Sequence, residues 1–359
     1  MSFLDIFVEK ARQRIWERLP MSNVLRERKP LTEDDAPEIK KDEAYVTLRM
    51  RQMYLKNIRV LWRKYYPLLH GYVSYAGQEE HVIAGPSQLT QLGDANLDRV
   101  IVLNQRLGGP IAYQGGDLTM LTGLYSVPGE DSAKALVETL SNVAALPGLA
   151  LGNVTQIANI VKSGVESILK LNESRLELGV KDSFYSNKPL RAGFYVAMDA
   201  SLNDVDFSRL WLDGGLKSGQ DPLVARSFDQ HDYMIIEIER TVTRDDWAAL
   251  PGFKAVQDKF NSIMADGAID STEKRSRLKN VWPEFYSLLD TSTGLITADK
   301  KKIADGVKAR LTTQLEAGSN PFESRSIGGR KVTIDPMGFD FLNVDEVRGD
   351  GGAFSAAGF

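Results

Sequence analysis

At 359 residues the chain is longer than an average domain, and its length predicts two. Hydrophobic residues at 43% and charged residues at 26% give enough apolar surface for a sizeable core, which excludes wholesale disorder. The lack of cysteine excludes disulfides, thiolate metal sites and Cys nucleophiles, and a net charge of −4 excludes a basic nucleic-acid coat.

The opening residues, MSFLDIFVEKARQRIWERLP, mix Asp5, Glu9 and Glu17 into their apolar positions, so they read as neither a secretory signal nor an acid-poor transit peptide. A cytoplasmic location is expected, and a cysteine-free chain fits that reducing compartment. Leu4, Phe7, Val8, Ala11, Ile15 and Leu19 recur at helical spacing, with Lys10, Arg12, Arg14 and Arg18 around them. This predicts an amphipathic helix over residues 1–19, docked on protein or, as the alternative, on an anionic membrane surface. Residues 20–42 carry Pro20, Pro30, Pro37 and dense charge, and are expected to form an exposed polar linker.

From Glu43 the period changes to two. Val46, Leu48 and Met50 alternate with Thr47, Arg49 and Arg51, the pattern of a half-buried strand. The runs IRVLWRKYY, LLHGYVSYAG, EHVIAG and RVIVLN continue the β texture. Gly108–Gly109–Pro110 and Gly115–Gly116 read as turns. Leu118, Met120, Thr122 and Leu124 alternate along a further strand, and Leu176, Leu178 and Val180 along another, followed by GFYVAMD, FSRLWLDGG and DYMIIEIER. About ten short strands predict a β-sandwich-like or barrel-like domain over residues 43–247.

An uncharged run lies inside that domain, between Glu138 and Lys162. Pro147–Gly148 divides it into two amphipathic helices. Leu136, Leu140 and Val143 mark one face, and Val154, Ile157, Ile160, Val161, Val165 and Ile168 the other. This helical hairpin, residues 131–171, is expected to pack on a sheet; insertion into a bilayer is the alternative. Gly123 in TGLYS and Gly179 in LGVKDS sit in similar settings on the flanking strands. Those strands are predicted to be neighbours, because a compact insertion leaves and returns at adjacent points.

Past Asp245 the texture is helical. Phe253, Val256, Phe260 and Ile263 mark one helix. Leu278, Val281, Phe285 and Leu288 mark a second, with an interruption expected at Pro283, and Ile303, Val307, Leu311 and Leu315 mark a third. The fold class is therefore α+β: the β domain with its inserted hairpin, then a small all-α domain at 248–316 and a Gly-rich tail at 317–359.

Within the helical part, DGAIDSTE (Asp266–Glu273) resembles the second half of an EF-hand calcium loop. STGLITADK, around Gly294 and Ile296, is similar in setting. Counting back from Glu273, Ser262 and Met264 occupy the places of the first two acids, and Lys300 closes the second loop, so the oxygen ligands that calcium needs are missing. Asp266, Asp270 and Glu273 are thus weak metal candidates. The competing reading is helix capping, with Gly267 ending one helix, Asp270 or Ser271 opening the next and Thr297 the third.

No Walker-type loop, nucleophile elbow or H-E-x-x-H is present; GGLKSGQD near Gly214 lacks the phosphate-loop spacing. No catalytic signature is found, and no cofactor is implied. His70 and His81 read as structural histidines. Asp229, His231 and Asp232 in SFDQHDY are a second weak metal or acid–base candidate, against a turn with local hydrogen bonds.

The interval between Glu43 and Glu79 has no acid. It holds Arg49, Arg51, Lys56, Arg59, Arg63 and Lys64, interleaved with Tyr54, Trp62, Tyr65 and Tyr66. The same letters suit an acidic protein, a lipid headgroup or single-stranded nucleic acid, or else pairing with acids such as Glu237 and Glu239. The expected function is a non-enzymatic interaction or assembly (scaffold) protein. Its candidate contacts are Arg49, Arg51, Arg59, Trp62, Arg63 and Lys64, with Phe354 and Phe359 in the tail. The alternatives are a membrane-associating or pore-forming protein acting through 131–171, and nucleic-acid binding through 49–66.

Overall fold

In the computed structural model, residues 15–56, 59–60, 63–76, 78–84, 101–128, 175–184 and 189–317 are described. The chain divides into two compact units, Met1–Thr241 and Val242–Phe359. The expected hairpin at 131–171, the first fourteen residues and the tail beyond Ala317 lie outside the described residues.

The first unit is antiparallel β structure. Its strands are β1 (Ile15–Arg18), β2 (Leu25–Arg26), β3 (Lys29–Pro30), β4 (Tyr45–Tyr54), β5 (Arg59–Val60), β6 (Arg63–Tyr75), β7 (Gln78–Ala84), β8 (Ile101–Ala112) and β9 (Leu118–Pro128). They continue as β10 (Arg175–Phe184), β11 (Gly193–Met198), β12 (Leu210–Leu212), β13 (Leu216–Ser218), β14 (Arg226–Ser227) and β15 (Tyr233–Thr241). One five-stranded sheet runs β1-β11-β15-β4-β8; the other runs β10-β9-β6, with β5 and β7 both pairing with β6. In β4 the inward side chains Val46, Leu48 and Met50 enter one buried cluster. Leu69 and Val73 of β6, Met120 and Leu124 of β9 and Leu178 of β10 join them from the second sheet.

The two sheets come close at glycines. A Cβ added to Gly71 of β6 would stand 2.7 Å from Leu107 Cδ2, and one on Gly108 of β8 would stand 2.9 Å from Val73 Cβ. This corrects the expected turn at Gly108–Gly109–Pro110, which is the interior of β8. Gly109 has φ +99°, where a Cβ would run into the Val46 carbonyl, and the β4–β8 register shifts beside it. Glycine here marks a bulge and a close approach rather than a chain reversal.

Two further expectations change. Residues 15–18 are a strand, not the end of a helix: β1 adds to the open edge of β11, with Trp16 opposite Ala197. Trp16 stacks on Tyr195 at 5.2 Å between centroids and donates its indole N–H to Asp182 at 2.7 Å. A free sheet edge offers backbone partners that outweigh local helical spacing. Residues 20–42 are no tether. Met21, Val24, Ala36 and Ile39 are buried, and Asn23 donates to the carbonyls of Ser208 and Leu210. Arg18 clasps the segment through Glu33 at 2.9 Å and the carbonyls of Ala36 and Ala192.

The second unit contains helices α1 (Phe253–Ala265), α2 (Ser271–Thr291) and α3 (Thr297–Ala317). Phe253, Phe260, Trp282 and Phe285 bury their rings together, and Phe285 lies within 6.2 Å of the other three, centroid to centroid. The expected interruption at Pro283 is absent, for α2 runs through it. An interior proline costs about 3 kcal/mol. The buried side chains on either side of it, Leu278, Trp282, Phe285 and Leu289, hold the helix on its core and offset that loss.

The glycine contact between the sheets carries a test. Gly108→Val should lower stability by about 1–3 kcal/mol, the usual cost of overpacking. Gly215→Ala, with nothing within 4 Å of the new Cβ, should stay within about 0.5 kcal/mol of the parent. Urea denaturation of the two variants measures both.

Candidate interaction surface

The basic run expected to meet a partner begins on β4. Its outward side chains face β15, where Glu237 stands opposite Arg49 and Glu239 opposite Thr47. The charges pair diagonally: Arg49 Nε donates to Glu239 at 2.8 Å, and the Arg51 guanidinium donates to Glu237 and to Asn104. Arg49 and Arg51 therefore carry their own counter-charges, with cross-strand pairs of this kind contributing roughly 0.2–1 kcal/mol. Burial, the largest influence on Glu237, lifts its carboxyl above the ordinary glutamate range, and the Arg51 charge pulls the other way without cancelling it.

Tyr54 stacks on Tyr233 with centroids 5.5 Å apart and donates its hydroxyl to the Asp229 carbonyl at 3.4 Å. The Lys56 amide donates to Asp232 at 2.6 Å. Arg59 lies in β5, paired in register with Lys64 of β6, and Arg63 is opposite Val60. Trp62, Phe354 and Phe359 lie outside the described residues. The backbone thus brings Arg59, Arg63 and Lys64 together on one short hairpin, apart from the paired arginines of β4.

The SFDQHDY cluster is a structured turn. Asp232 holds the Lys56 amide and, through its carbonyl, the Asp199 amide at 3.0 Å; His231 stacks on Phe228 with centroids 6.2 Å apart. In the helical unit, Asp266 accepts from the Ala268 amide at 2.9 Å and Asp270 from the Glu273 amide at 2.8 Å, while Glu273 takes Arg277 at 2.9 Å. Asp270 is thus an N-cap. Thr297 begins α3 as its first residue, and Gly267 is not in the left-handed region. Among the described residues no group of three or more acids or histidines is placed to hold a metal ion.

The sequence reading overlooked the turn between β13 and β14. Leu223 is 86% exposed and Val224 71%, while most large apolar side chains among the described residues of this unit are buried. The turn is held in shape: Asp221 accepts from the Leu223 amide at 2.7 Å, and its carbonyl takes the Val224 amide at 3.2 Å. At the neck Trp211 donates to the Gly219 carbonyl at 2.9 Å. There a Cβ on Gly219 would meet Ala225 Cα at 2.7 Å. A second turn, tied by Ser201 to Asp204 at 2.7 Å, presents Leu202 at 61% exposure. The legible signal was an apolar pair after Pro222 in an otherwise polar loop, GQDPLVARS.

No protein-family model matches the chain, and no curated protein matches it either. Among the described residues no helix is long and apolar enough to cross a membrane.

Glu237 supplies a pH test. Its folded pKa is above the ordinary value of 4.5, so between the two values the folded chain keeps a proton that the unfolded chain releases. Its contribution to stability is therefore full below the ordinary value and is lost as pH rises through the folded one. As pH rises above 4.5, the melting temperature of the parent relative to Glu237→Gln should fall. A flat or rising difference contradicts the assignment.

Proposed function

We propose that the protein is a non-enzymatic interaction or assembly protein of the cytoplasm. Its body is a β-sandwich-like domain with a helical hairpin inserted at 131–171, and its terminal segments are arms that reach neighbouring chains. The observation that carries this reading is the pair Leu223 and Val224, held in water on a hydrogen-bonded turn. Burying such side chains is worth about 1.5–3 kcal/mol each, so a surface that receives them gains what the free protein forgoes. A turn already fixed by Asp221 loses little conformational freedom on docking, which favours affinity. The carboxylates on Arg49 and Arg51 favour a protein partner over a phosphate backbone, because those two cations would have to leave their own pairs first.

The test is a double substitution, Leu223→Ser with Val224→Ser, in the full chain. Tagged protein recovered from its native cells should carry a stoichiometric protein, either another species or further copies of itself. The double variant should retain about tenfold less of it or under, while melting at the parent temperature. Equal recovery by both proteins, or a strict monomer with nothing bound at every concentration, contradicts the proposal.

A further inference from the structure

The hairpin of β2 and β3 turns at Glu27 and Arg28, with Arg26 paired to Lys29 and Leu25 to Pro30. Glu27 has φ 52° and Arg28 φ 65°; among the described residues no other two successive non-glycine residues have positive φ. A two-residue loop of this kind favours Asn-Gly, which adopt positive φ at little cost. Glu and Arg carry bulk beyond Cβ and are strained there. Backbone strain clusters at functional positions. Here the strained turn sets three exposed cations, Arg26, Arg28 and Lys29, around the single acid Glu27. Arg28 and Lys29 make no ion pair with another described residue.

The hairpin is anchored beside the small sheet β12-β13-β14. Its root is closed by the Leu31 amide on the Val24 carbonyl at 2.9 Å. Val24 is buried and bridges Leu212 of β12, while Asn23 holds the carbonyls of Ser208 and Leu210 at 3.1 and 2.9 Å. That sheet belongs to the acidic part of the chain. Residues 199–232 hold seven aspartates against three bases, Arg209, Lys217 and Arg226. With His231 neutral their net charge is −4, which equals that of the whole protein. Arg209 answers Asp206 at 3.1 Å and Lys217 answers Asp213 at 2.6 Å. Asp204 and Asp221 are exposed and accept from neutral groups, the Ser201 hydroxyl and the Leu223 amide, each at 2.7 Å; Asp229 is exposed as well. The exposed large apolar side chains described in this unit, Leu202, Leu223 and Val224, fall in the same stretch.

We propose that two copies of this chain associate through this side of the β unit. The 26–29 hairpin of each copy reaches the acidic 199–232 surface of the other, and Leu223 and Val224 are buried between them. Patches of opposite sign fixed on one body are complementary to a second copy of themselves. Under a twofold axis, residue i of one copy meets residue j of the other, and j meets i. Opposite charges steer the encounter, and the apolar tips gain from leaving water once contact is made. The strained turn fits this use, because it keeps cations at the tip in place of the residues that the backbone prefers. This association rests on the assembly role proposed above and names its partner, a second copy of the chain.

Sedimentation velocity on the purified full chain tests it. The protein should be dimeric at about 10–100 μM in low salt and shift toward monomer at about 0.5 M salt, where screening is strong. Arg28→Glu with Lys29→Glu should weaken the dimer about tenfold or more, and so should Gln220→Lys with Asp229→Lys. Each variant repels its own copies. When the two are mixed, the reversed hairpin of one meets the reversed surface of the other, and the unaltered patches meet at the second contact. The mixture should therefore regain the dimer, which also shows that both variants are folded. Glu27→Asn with Arg28→Gly should raise the melting temperature yet weaken the dimer, since it removes strain and a cation together. A monomer at every concentration, a dimer indifferent to salt, reversal variants that dimerise like the parent, or a mixture that stays monomeric overturns the inference. If the chain is a monomer but recovers a different protein from its native cells, the assembly role stands without this partner; if it recovers nothing, both fall.

Discussion

A strand that is dry on both faces cannot obey the inside–outside alternation of a half-buried sheet, and it needs a cover on each side. β9 is in that position: from Met120 to Val127 every residue is buried. One cover is the sheet β1-β11-β15-β4-β8, which comes close because Gly71 and Gly108 bring no side chain to the contact with Leu107 and Val73. On the other face Gly123 and Gly179 leave a floor that the Tyr125 ring occupies. Burying the Tyr125 hydroxyl without a partner costs on the order of 1–3 kcal/mol, which the burial of an aromatic ring of that size offsets.

The first sheet solves its outer face differently. Near β4 and β15 it carries alternating polar side chains, and Arg49, Arg51, Glu237 and Glu239 neutralise one another across the ladder. A separate three-stranded sheet, β12-β13-β14, contributes Leu210, Leu212 and Leu216 to the main core, with Phe228 just beyond β14. That small sheet also carries the Leu223–Val224 turn, so an element that contributes to the core also presents apolar side chains to solvent. The proposed assembly role rests on this junction of a packed sheet and an exposed tip.

Much of this was legible in the residues. Alternation in VTLRMRQ, LTMLTGL and RLELGVK marks strands, and the likeness of TGLYS and LGVKDS anticipated neighbouring strands; Gly123 and Gly179 are direct cross-strand partners. The pairing of Arg49 and Arg51 with Glu239 and Glu237 was one of the readings left open, and it is the one formed. What escaped depends on tertiary partners. Ile15 and Leu19 fit a helix locally, but the vacant edge of β11 turns residues 15–18 into a strand. Met21, Val24, Ala36 and Ile39 are too far apart to show a period, so a packed segment resembled a linker. Gly109 before Pro110 looked like a turn because a bulge and a turn use the same residues. Leu223 and Val224 escaped because exposure is a property of the fold, not of the letters.

The two-sided burial of β9 is tested most directly by the surroundings of the Tyr125 ring. In a deuterated full chain with protonated Tyr rings and Ile, Leu and Val methyls, nuclear Overhauser contacts report which methyls touch that ring. The account predicts cross-peaks from Tyr125 to the methyls of its neighbours Leu68 and Leu176, and none to water. A Tyr125 ring with strong water cross-peaks, or without those methyl contacts, would contradict it.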